Sequence, residues 1–136
     1  MKKINVLIVE DEALSRELIK EALKLSKVNC TIKIDEAESA EDALKKCIRK
    51  KYDLIFCDLV LPGMSGLDLI EALYQVEPDQ CFIVVSAYVD HQKFRRIYKY
   101  NLLKILKKPV KVLEIINAFK LGCKEIFKKC GKPLKK

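Results

Sequence analysis

Charged residues follow three apolar runs of this chain, 6–9, 54–57 and 102–106, at the points where the runs end. Asp58 comes directly after the strand-like run 54–57, and the stretch 61–66 that comes next contains proline and glycine and cannot continue a strand. If the three runs are neighbouring parallel strands, their carboxyl ends meet at one edge of the sheet, where ligands bind in open α/β sheets. The residues gathered there would be Glu10, Asp11, Glu12, Asp58 and Lys108.

The acids at this predicted edge would repel one another, and a divalent cation would relieve that repulsion. Mg²⁺ is the natural choice, because it prefers octahedral oxygen coordination and bridges carboxylates to phosphate oxygens. A carboxylate held beside such an ion and a lysine could attack a phosphoryl group in line. Taken alone, Asp58 would more commonly be a turn-forming aspartate, so this interpretation depends on the neighbouring motifs.

Strand and helix patterns alternate along the chain and predict an α/β fold with a parallel sheet. The run 82–85 is apolar on both sides, which fits a strand covered by helices on both faces. The predicted strands are 4–9, 30–34, 54–57, 81–85 and 103–107. The predicted helices are 13–26, one that starts near Ser39, 66–76, 90–100 and one that begins after Pro109 and runs to Lys129.

Several helix ends and helix faces are also predicted. Ser39 is expected to cap the second helix, because Asp42 three residues on is a near match to a capping box. Asn101 occupies a helix-ending position where a left-handed conformation is usual.

Apolar residues of the first helix lie at helical spacing: Leu14, Leu18, Ala22 and Leu25. The inner face of the second would be Ala40, Ala43, Leu44 and Cys47. A stripe in the fifth is predicted to face the sheet and consists of Val112, Ile116, Phe119, Cys123, Ile126 and Cys130.

Five motifs together resemble the receiver domain of two-component response regulators, of the CheY-like, stand-alone type. The resemblance covers roughly residues 4–128 and rests on Glu10-Asp11, Asp58, Pro62-Gly63 with Gly66, Ser86-Ala87 and Lys108-Pro109. It implies a doubly wound, five-stranded parallel sheet of flavodoxin-like order 2-1-3-4-5 with five helices. The receiver domain would take in residues 1–130, and residues 131–136 would be a short basic tail.

The resemblance also implies how the acidic edge binds Mg²⁺. Asp11 and Asp58 would be direct ligands, the backbone carbonyl of Val60 a third, and Glu10 would act mainly through water. Many receivers have aspartate where this chain has Glu10, although glutamate is common there as well.

The same resemblance assigns the phosphoryl chemistry. Asp58 would be the phosphoacceptor, and the donor would be a histidine kinase or a phosphotransfer protein. Lys108 would pair with Asp58 and hold one phosphoryl oxygen, while Ser86 would donate a hydrogen bond to another. The peptide bond between Lys108 and Pro109 is expected to be cis.

The conformational switch of typical receivers uses an aromatic residue that this chain lacks at the expected position. An aromatic residue that usually lies three positions before the lysine is replaced here by Ile105, which cannot report phosphorylation by a ring flip. Tyr88 could supply a substitute ring, although an ordinary surface or packing tyrosine is the simpler interpretation. Val60 and Tyr88 also flank the path of water to Asp58, which predicts slow hydrolysis of the phosphoryl group.

The net charge of +8 is unevenly spread along the chain. Residues 1–87 carry 12 Lys and Arg against 16 Asp and Glu, a net charge of −4, whereas residues 88–136 carry 15 against 3, a net charge of +12. A basic half can attract an acidic protein, nucleic acid or anionic lipid, or it can be a solvated surface. The family's output surface, made of the fourth helix, fifth strand and fifth helix, lies in this half. Candidate contacts with an acidic partner protein are Arg95, Arg96, Lys99, Lys104, Lys107, Lys111, Lys120 and Lys124.

Length and composition restrict the remaining classes. A chain of 136 residues suits one domain. No apolar run approaches the roughly 20 residues of a membrane span, and no signal-peptide core follows Met1, so a cytoplasmic protein without membrane insertion is expected. His91, the only histidine, is predicted to be a surface residue at a helix start. Reduced, mostly core cysteines are predicted for Cys30, Cys47, Cys57, Cys81, Cys123 and Cys130.

Two other function classes compete with the receiver interpretation. A phosphorylation-independent nucleic-acid-binding protein could use the basic half, but the chain has no recognised DNA-reading motif and few aromatic residues among the basic ones. A phosphatase with an aspartyl nucleophile would usually need a second aspartate where Val60 stands. We therefore expect a signalling switch whose only catalysis is self-directed phosphoryl acceptance and slow autodephosphorylation. A homodimer is compatible with the sequence, which identifies neither the kinase nor the downstream target.

Overall fold

Strands and helices alternate along the chain in the computed structural model, which describes residues 2–87 and 91–130. The strands are β1 (Lys2–Val9), β2 (Cys30–Ala37), β3 (Leu54–Cys57), β4 (Cys81–Ser86) and β5 (Asn101–Lys107). The helices are α1 (Ala13–Leu25), α2 (Ala40–Arg49), α3 (Gly66–Val76), α4 (His91–Ile97) and α5 (Val112–Cys130). The predicted tail 131–136 lies outside the described residues.

The five strands of the described residues form one parallel sheet in the order β2-β1-β3-β4-β5. The predicted fold class and strand order are therefore confirmed. In the register of β1 and β3, Val9 lies opposite Cys57. The two strands consequently end side by side, and the residues that follow them, Glu10 and Asp58, leave the sheet at the same edge.

The sheet separates two apolar layers, because alternate residues of each strand point to opposite faces. On one face, Leu7 and Ile55 pack with residues of α2 and α3. On the other face, Ile8 and Phe56 pack with residues of α1 and α5. Burial of each such side chain stabilises the fold by roughly 1.5–3 kcal/mol. Both faces of the central strands are thus covered, as the apolar run in β4 predicted.

The buried face of α1 differs from the stripe expected from the sequence. Ala22 is buried as expected, but Leu14 is 86% exposed and Leu25 is 57% exposed. The side chains that pack on the sheet are instead Ile19, Ala22 and Leu23. Their spacing of three and four residues is also helical, and a spacing pattern alone does not say which of two apolar stripes meets the sheet. Leu14 and Leu25 are therefore exposed on the surface of α1.

The caps of α2 and α3 follow from serine side chains. The backbone N–H of Asp42 donates to Ser39 Oγ over 3.0 Å, which confirms the predicted cap of α2. In α3, the N–H of Asp68 donates to Ser65 Oγ over 3.1 Å. Each cap satisfies a backbone donor that the first helical turn leaves unpaired.

The prediction for the end of α4 was wrong. The helix begins at His91, as expected for that residue, but it ends at Ile97 rather than near Tyr100, and the predicted first residue Asp90 lies outside the described residues. Asn101 has no left-handed backbone; it is the first residue of β5 and lies opposite Cys81 in the ladder with β4. Pairing with β4 therefore starts the strand two residues earlier than its apolar run suggested.

The apolar stripe of α5 packs against the sheet, as predicted. Phe119, Cys123 and Ile126 are buried, and Ile115 and Ala118 extend the buried face. The side chain of Cys130 lies outside the described residues. The described cysteines Cys30, Cys47, Cys57, Cys81 and Cys123 are free thiols. Within the described residues, no helix is long and apolar enough to cross a membrane.

Candidate functional site

Asp58 lies at the carboxyl end of β3 and is only 6% exposed. Its backbone N–H donates to the carbonyl of Val9 over 3.1 Å, which fixes it to the end of β1. Its Oδ1 accepts a hydrogen bond from the N–H of Val60 over 3.0 Å. The carboxylate is therefore oriented by backbone on one side, and its other oxygen points towards a lysine.

That lysine is Lys108, which follows β5. Its Nζ lies 2.9 Å from Asp58 Oδ2 and 2.6 Å from Glu10 Oε1, and Glu12 Oε1 is 3.7 Å away. Its backbone N–H donates to the carbonyl of Ser86 over 3.0 Å, and the bond to Pro109 is cis, as expected. Burial alone would lower the pKa of Lys108, but its hydrogen bonds to Asp58 and Glu10 raise it above the ordinary value. Lys108 is therefore a fixed positive charge.

Glu10 is 1% exposed and is held at several atoms. Its N–H donates to the carbonyl of Ala37 over 3.1 Å, and its carbonyl accepts from Arg16 Nη1 over 2.7 Å. Its second carboxylate oxygen accepts from the N–H of Glu12 over 3.1 Å. Burial raises the pKa of Glu10, and the ion pair with Lys108 offsets part of that rise. The pair stabilises the charged carboxylate in a site from which water is largely excluded.

The carboxylates of Glu10, Asp11 and Asp58 form one cluster. One oxygen from each lies within 4.8 Å of the others, and Asp11 is exposed whereas the other two are buried. Oxygen atoms at this spacing, open to solvent on one side, suit a hard divalent cation that keeps some of its water ligands. The cluster thus fits Mg²⁺, and the structure brings together the acids that the sequence placed at this edge.

Glycines allow the loop after Asp58 to turn back into α3. A Cβ atom on Gly66 would lie 2.0 Å from the carbonyl oxygen of Asp58, so no other residue fits there without moving the backbone. Gly63 has a φ of 76°, in the left-handed region that favours glycine. The loop therefore holds the Asp58 backbone against the start of α3.

Comparison with known proteins agrees with this geometry. The family model for the response regulator receiver domain matches residues 6–120. The chain belongs to the response regulator receiver domain family. Its relatives include a cyclic di-GMP phosphodiesterase of Thermotoga maritima, 34% identical over 79% of this chain and 27% of that protein. The sensory transduction protein LytT of Bacillus subtilis is 32% identical over 78% of this chain and 42% of its own length.

Solved receiver structures have the same fold. A CheY-like receiver domain protein from Methanospirillum hungatei superposes with a TM-score of 0.83 at 22% identity, covering 95% of this chain and 99% of that one. The response regulator TrrA from Thermotoga maritima, in complex with Mg²⁺ and BeF, has a TM-score of 0.72 at 30% identity, covering 93% and 99%. The present chain thus matches whole receiver domains, whereas it spans less than half of the two sequence relatives named above.

The positions that the receiver family uses for switching are partly described. Ser86 ends β4 and is fully buried, and its carbonyl accepts from Lys108. Ile105 on β5 is half-buried and packs against the apolar layer that includes Ile97 of α4. Tyr88 lies outside the described residues. The side chain of Val60 is 61% exposed, and its backbone N–H donates to Asp58 Oδ1.

Sequence reasoning missed Arg16, and it placed Glu12 at the acidic edge without giving it a role in this receiver site. Arg16 of α1 donates from Nη1 to the carbonyl of Glu10 and from Nε to Glu36 over 2.9 Å. Glu12 fixes the turn through its N–H and also approaches Lys108. A usable signal was the position of Arg16 one helical turn after Glu12, which places it at the start of α1 beside the acidic edge.

Proposed function

We propose that this receiver domain is a signalling switch that accepts a phosphoryl group on Asp58. The observation that carries the proposal is the position of Lys108 Nζ, 2.9 Å from Asp58 Oδ2 within the acidic cluster. A lysine held there neutralises the charge that develops on a transferring phosphoryl group. Asp58 supplies the carboxylate that acts as the nucleophile in this transfer.

Each residue has a definite part in the proposed transfer. An oxygen of Asp58 forms a bond to phosphorus, while the bond between phosphorus and the donor atom breaks, leaving an acyl phosphate. Lys108 then holds one phosphoryl oxygen. Ser86 donates its hydroxyl hydrogen to a second oxygen, as its place at the end of β4 and the family resemblance suggest.

Glu10, Asp11 and Asp58 would hold a Mg²⁺ ion, with the backbone carbonyl of Val60 as a further ligand. The ion would supply neutralisation of the phosphoryl charge. Arg16 and the N–H of Glu12 keep Glu10 in position, so the acid nearest the sheet is fixed before any ligand arrives. Asp11 is the exposed member of the cluster and is the acid that can adjust its side chain on binding.

The proposed donor is a histidine kinase or a phosphotransfer protein. Leu14 and Leu18 are exposed on α1, and Leu18 lines a cleft of about 420 Å³ beside the site together with Pro109 and Val110. Apolar surface next to the acceptor supports a protein donor, because a protein can cover that surface on binding and a small phosphate ester cannot. A cytoplasmic location remains the prediction from the sequence.

The proposed output surface is made of α4, β5 and the start of α5. Among the described residues, no salt bridge occupies the exposed side chains of Arg95, Lys99, Lys104, Lys107 and Lys111. We propose that this surface contacts an acidic partner protein, and that phosphorylation changes its affinity for that partner. An isologous homodimer through the same surface would bring these like charges together, so a partner of opposite charge fits better.

Side-chain contacts with α3 fix one end of this surface. Arg96 Nη2 lies 2.6 Å from Glu71 Oε2, and the hydroxyl of Tyr100 donates to the same oxygen over 3.3 Å. The ring of Tyr100 also packs edge-on against Tyr74, with centroids 4.8 Å apart. These contacts hold the segment between α4 and β5 against α3, at the end of β4 opposite to Ser86.

Intact-protein mass spectrometry tests the acceptor. After incubation with Mg²⁺ and acetyl phosphate, the wild-type protein should gain one phosphoryl group, and Asp58→Asn should gain none. Asp79→Asn, at an exposed aspartate away from the site, is the matched control and should gain as much as wild type. A gain in Asp58→Asn would place the acceptor elsewhere. No gain in any variant would favour a phosphorylation-independent binding function.

The same experiment reports the lifetime of the phosphoryl group. Once the donor is removed, the added mass should decay over minutes or longer, because the exposed side chain of Val60 would hinder water at Asp58. Decay within seconds would contradict the proposed slow autodephosphorylation while leaving the assignment of the acceptor intact.

A further inference from the structure

A second basic feature lies at the opposite end of the strands from Asp58. Lys2 begins β1, whose other end leads to Glu10, so this feature is separated from the acidic cluster by the full length of the strand. It is a cleft of about 770 Å³ between the start of β1, the turn from α1 to β2 and the second half of α5. The residues that line it include Lys2, Val28, Asn29, Lys120, Lys124 and Phe127.

The cleft separates two lysines from the output surface to which the sequence assigned them. Lys120 and Lys124 were expected to act with the lysines of β5, but they face the cleft that contains Lys2 and Asn29. The exposed surface of α5 is therefore divided. Lys111 at its start lies near the acidic edge of the sheet, whereas Lys120 and Lys124 belong to a site at the other end.

The lysines of the cleft are not paired with acids within the part of the chain that the structure describes. Among the described residues, none of Lys2, Lys120 and Lys124 forms a salt bridge, whereas Lys20 of α1 pairs with two glutamates. Unneutralised like charges repel one another, and an anionic ligand would relieve this repulsion. Residues 131–136 contain three lysines and no acid, so their charge does not complement the cleft.

The walls of the cleft favour an acidic protein segment over other polyanions. The Nζ of Lys2 lies 4.7 Å from the centre of the Phe127 ring, so this face of the ring is covered and is a poor platform for stacking a base. A concave site also fits a protruding chain better than a flat lipid surface. Val28 and the edge of Phe127 give the floor an apolar part, which would accept an aliphatic side chain between carboxylates.

We propose that this cleft is a binding site for an acidic, partly apolar segment of a partner protein. The cleft shares no residue with the acidic cluster, and binding there is expected not to depend on phosphorylation at Asp58. It would tether the receiver to a partner, while the output surface responds to the phosphoryl group. The proposal goes beyond the proposed function and can fail without affecting it.

The test uses a short fluorescein-labelled peptide that is rich in Asp and Glu and contains leucine. Fluorescence anisotropy should show binding to the full chain that weakens as salt is raised from about 50 to about 200 mM. The double variant Lys120→Glu/Lys124→Glu should bind at least about ten-fold more weakly, since it reverses two of the three charges in the cleft. Asp58→Asn should bind as tightly as wild type.

The matched control reverses two cations with the same spacing on another helix. Lys45 and Arg49 are exposed on α2, four residues apart, and neither lines the cleft. Lys45→Glu/Arg49→Glu should lose less than about three-fold, because only long-range attraction changes. Equal losses in both double variants would overturn the site and indicate diffuse attraction to a basic protein.

Two further readouts keep the proposal falsifiable. Backbone amide shifts caused by the peptide should appear at Asn29, Lys124 and Phe127; shifts confined to Lys104 and Lys107 would assign the binding to the output surface instead. An oligouridylate of matched charge should not displace the peptide. Displacement at equal concentration would overturn the proposal in favour of nucleic acid. Both double variants should still accept a phosphoryl group from acetyl phosphate, which shows that they are folded.

Discussion

Lysine side chains have opposite surroundings at the two ends of the sheet. At the carboxyl ends of the strands, Lys108 has carboxylate oxygens of Glu10, Asp58 and Glu12 within 3.7 Å. At the other end, Lys2 and the two lysines of α5 that line the cleft have no such partner among the described residues. The same residue type is therefore part of a fixed charge network in one region and an unsatisfied charge in the other.

This difference teaches what each region can do. A half-buried, paired lysine is positioned in advance, so it can stabilise charge in a reaction without reorganising. Exposed, unpaired lysines are mobile and screened by salt, so they contribute to association and its rate. The net charge of +8 does not distinguish these roles, because Lys108 and the cleft lysines count equally in it.

Two adjacent lysines give the sharpest test of this comparison. Lys108→Met should slow phosphorylation of Asp58 by acetyl phosphate about 100-fold or more, because the charge that faces the phosphoryl group is lost. Lys107→Met, one residue away and exposed, should stay within about two-fold of wild type. The measurement is the initial rate of mass gain at fixed Mg²⁺, corrected for the folded fraction by circular dichroism.

Removal of Lys108 also leaves buried carboxylates without a partner. Its loss should therefore lower the free energy of unfolding by about 3 kcal/mol in the absence of divalent cations. Addition of Mg²⁺ should stabilise Lys108→Met more than wild type, since the ion then replaces the positive charge that Lys108 provided beside Glu10 and Asp58. Similar rates for the two lysine variants would contradict the view that contact with Asp58, rather than general positive charge, is what matters.

The sequence predicts the acidic edge better than it predicts the basic surfaces. Apolar runs that end in charged residues indicate where strands end. Because the carboxyl ends of parallel strands lie at one edge of the sheet, these charged residues must lie at that same edge. Helix faces are less certain, because α1 has two apolar stripes and the spacing of Leu14 and Leu18 did not reveal that Ile19 would be buried. The early start of β5 at Asn101 depends on pairing with β4, which no local pattern contains.

The division of the α5 lysines shows the same limit. Whether Lys120 faces β5 or β1 depends on the rotation of α5 about its axis, and the packing of Phe119 and Cys123 in the layer shared with α1 sets that rotation. Arg16 was missed for a related reason, since its partners Glu10 and Glu36 follow or lie on other strands. Contacts between distant elements thus set the parts of the site that spacing alone does not predict.

Glycines in the two regions extend the comparison to the backbone. Gly66→Ala should lower the free energy of unfolding by about 2–3 kcal/mol and slow phosphorylation, because its Cβ would meet the Asp58 carbonyl at 2.0 Å. Gly122→Ala in α5 should change stability by less than about 1 kcal/mol in either direction. There the nearest atoms are methyl groups of Leu54 at 3.3 Å and Leu103 at 3.4 Å, which can move. Urea unfolding of both variants gives the free energies, and equal losses would show that the loop after Asp58 is no more rigid than the helix.

A smaller effect contrasts two carboxylates of the sheet. Burial raises the pKa of Glu10, whereas the hydroxyl of Tyr52, 2.6 Å from Asp35 Oδ2, and the nearby Lys50 hold the pKa of Asp35 below its usual range. Tyr52→Phe should therefore lower the free energy of unfolding at neutral pH by roughly 1 kcal/mol. The Asp35 carboxylate is partly exposed, and a hydrogen bond to such a group contributes no more than about that amount.

The pH dependence of the Tyr52→Phe difference follows from the direction of the Asp35 shift. A carboxyl group whose pKa is lowered by folding adds stability at pH values above its ordinary pKa of about 3.9 and loses it as the pH falls through the folded value. The difference between wild type and Tyr52→Phe should accordingly be largest near pH 7 and become smaller near pH 3. Urea unfolding at the two pH values measures it. A difference of equal size at both would mean that Tyr52 stabilises the sheet through packing of its ring, and that the charge of Asp35 is balanced by Lys50 alone.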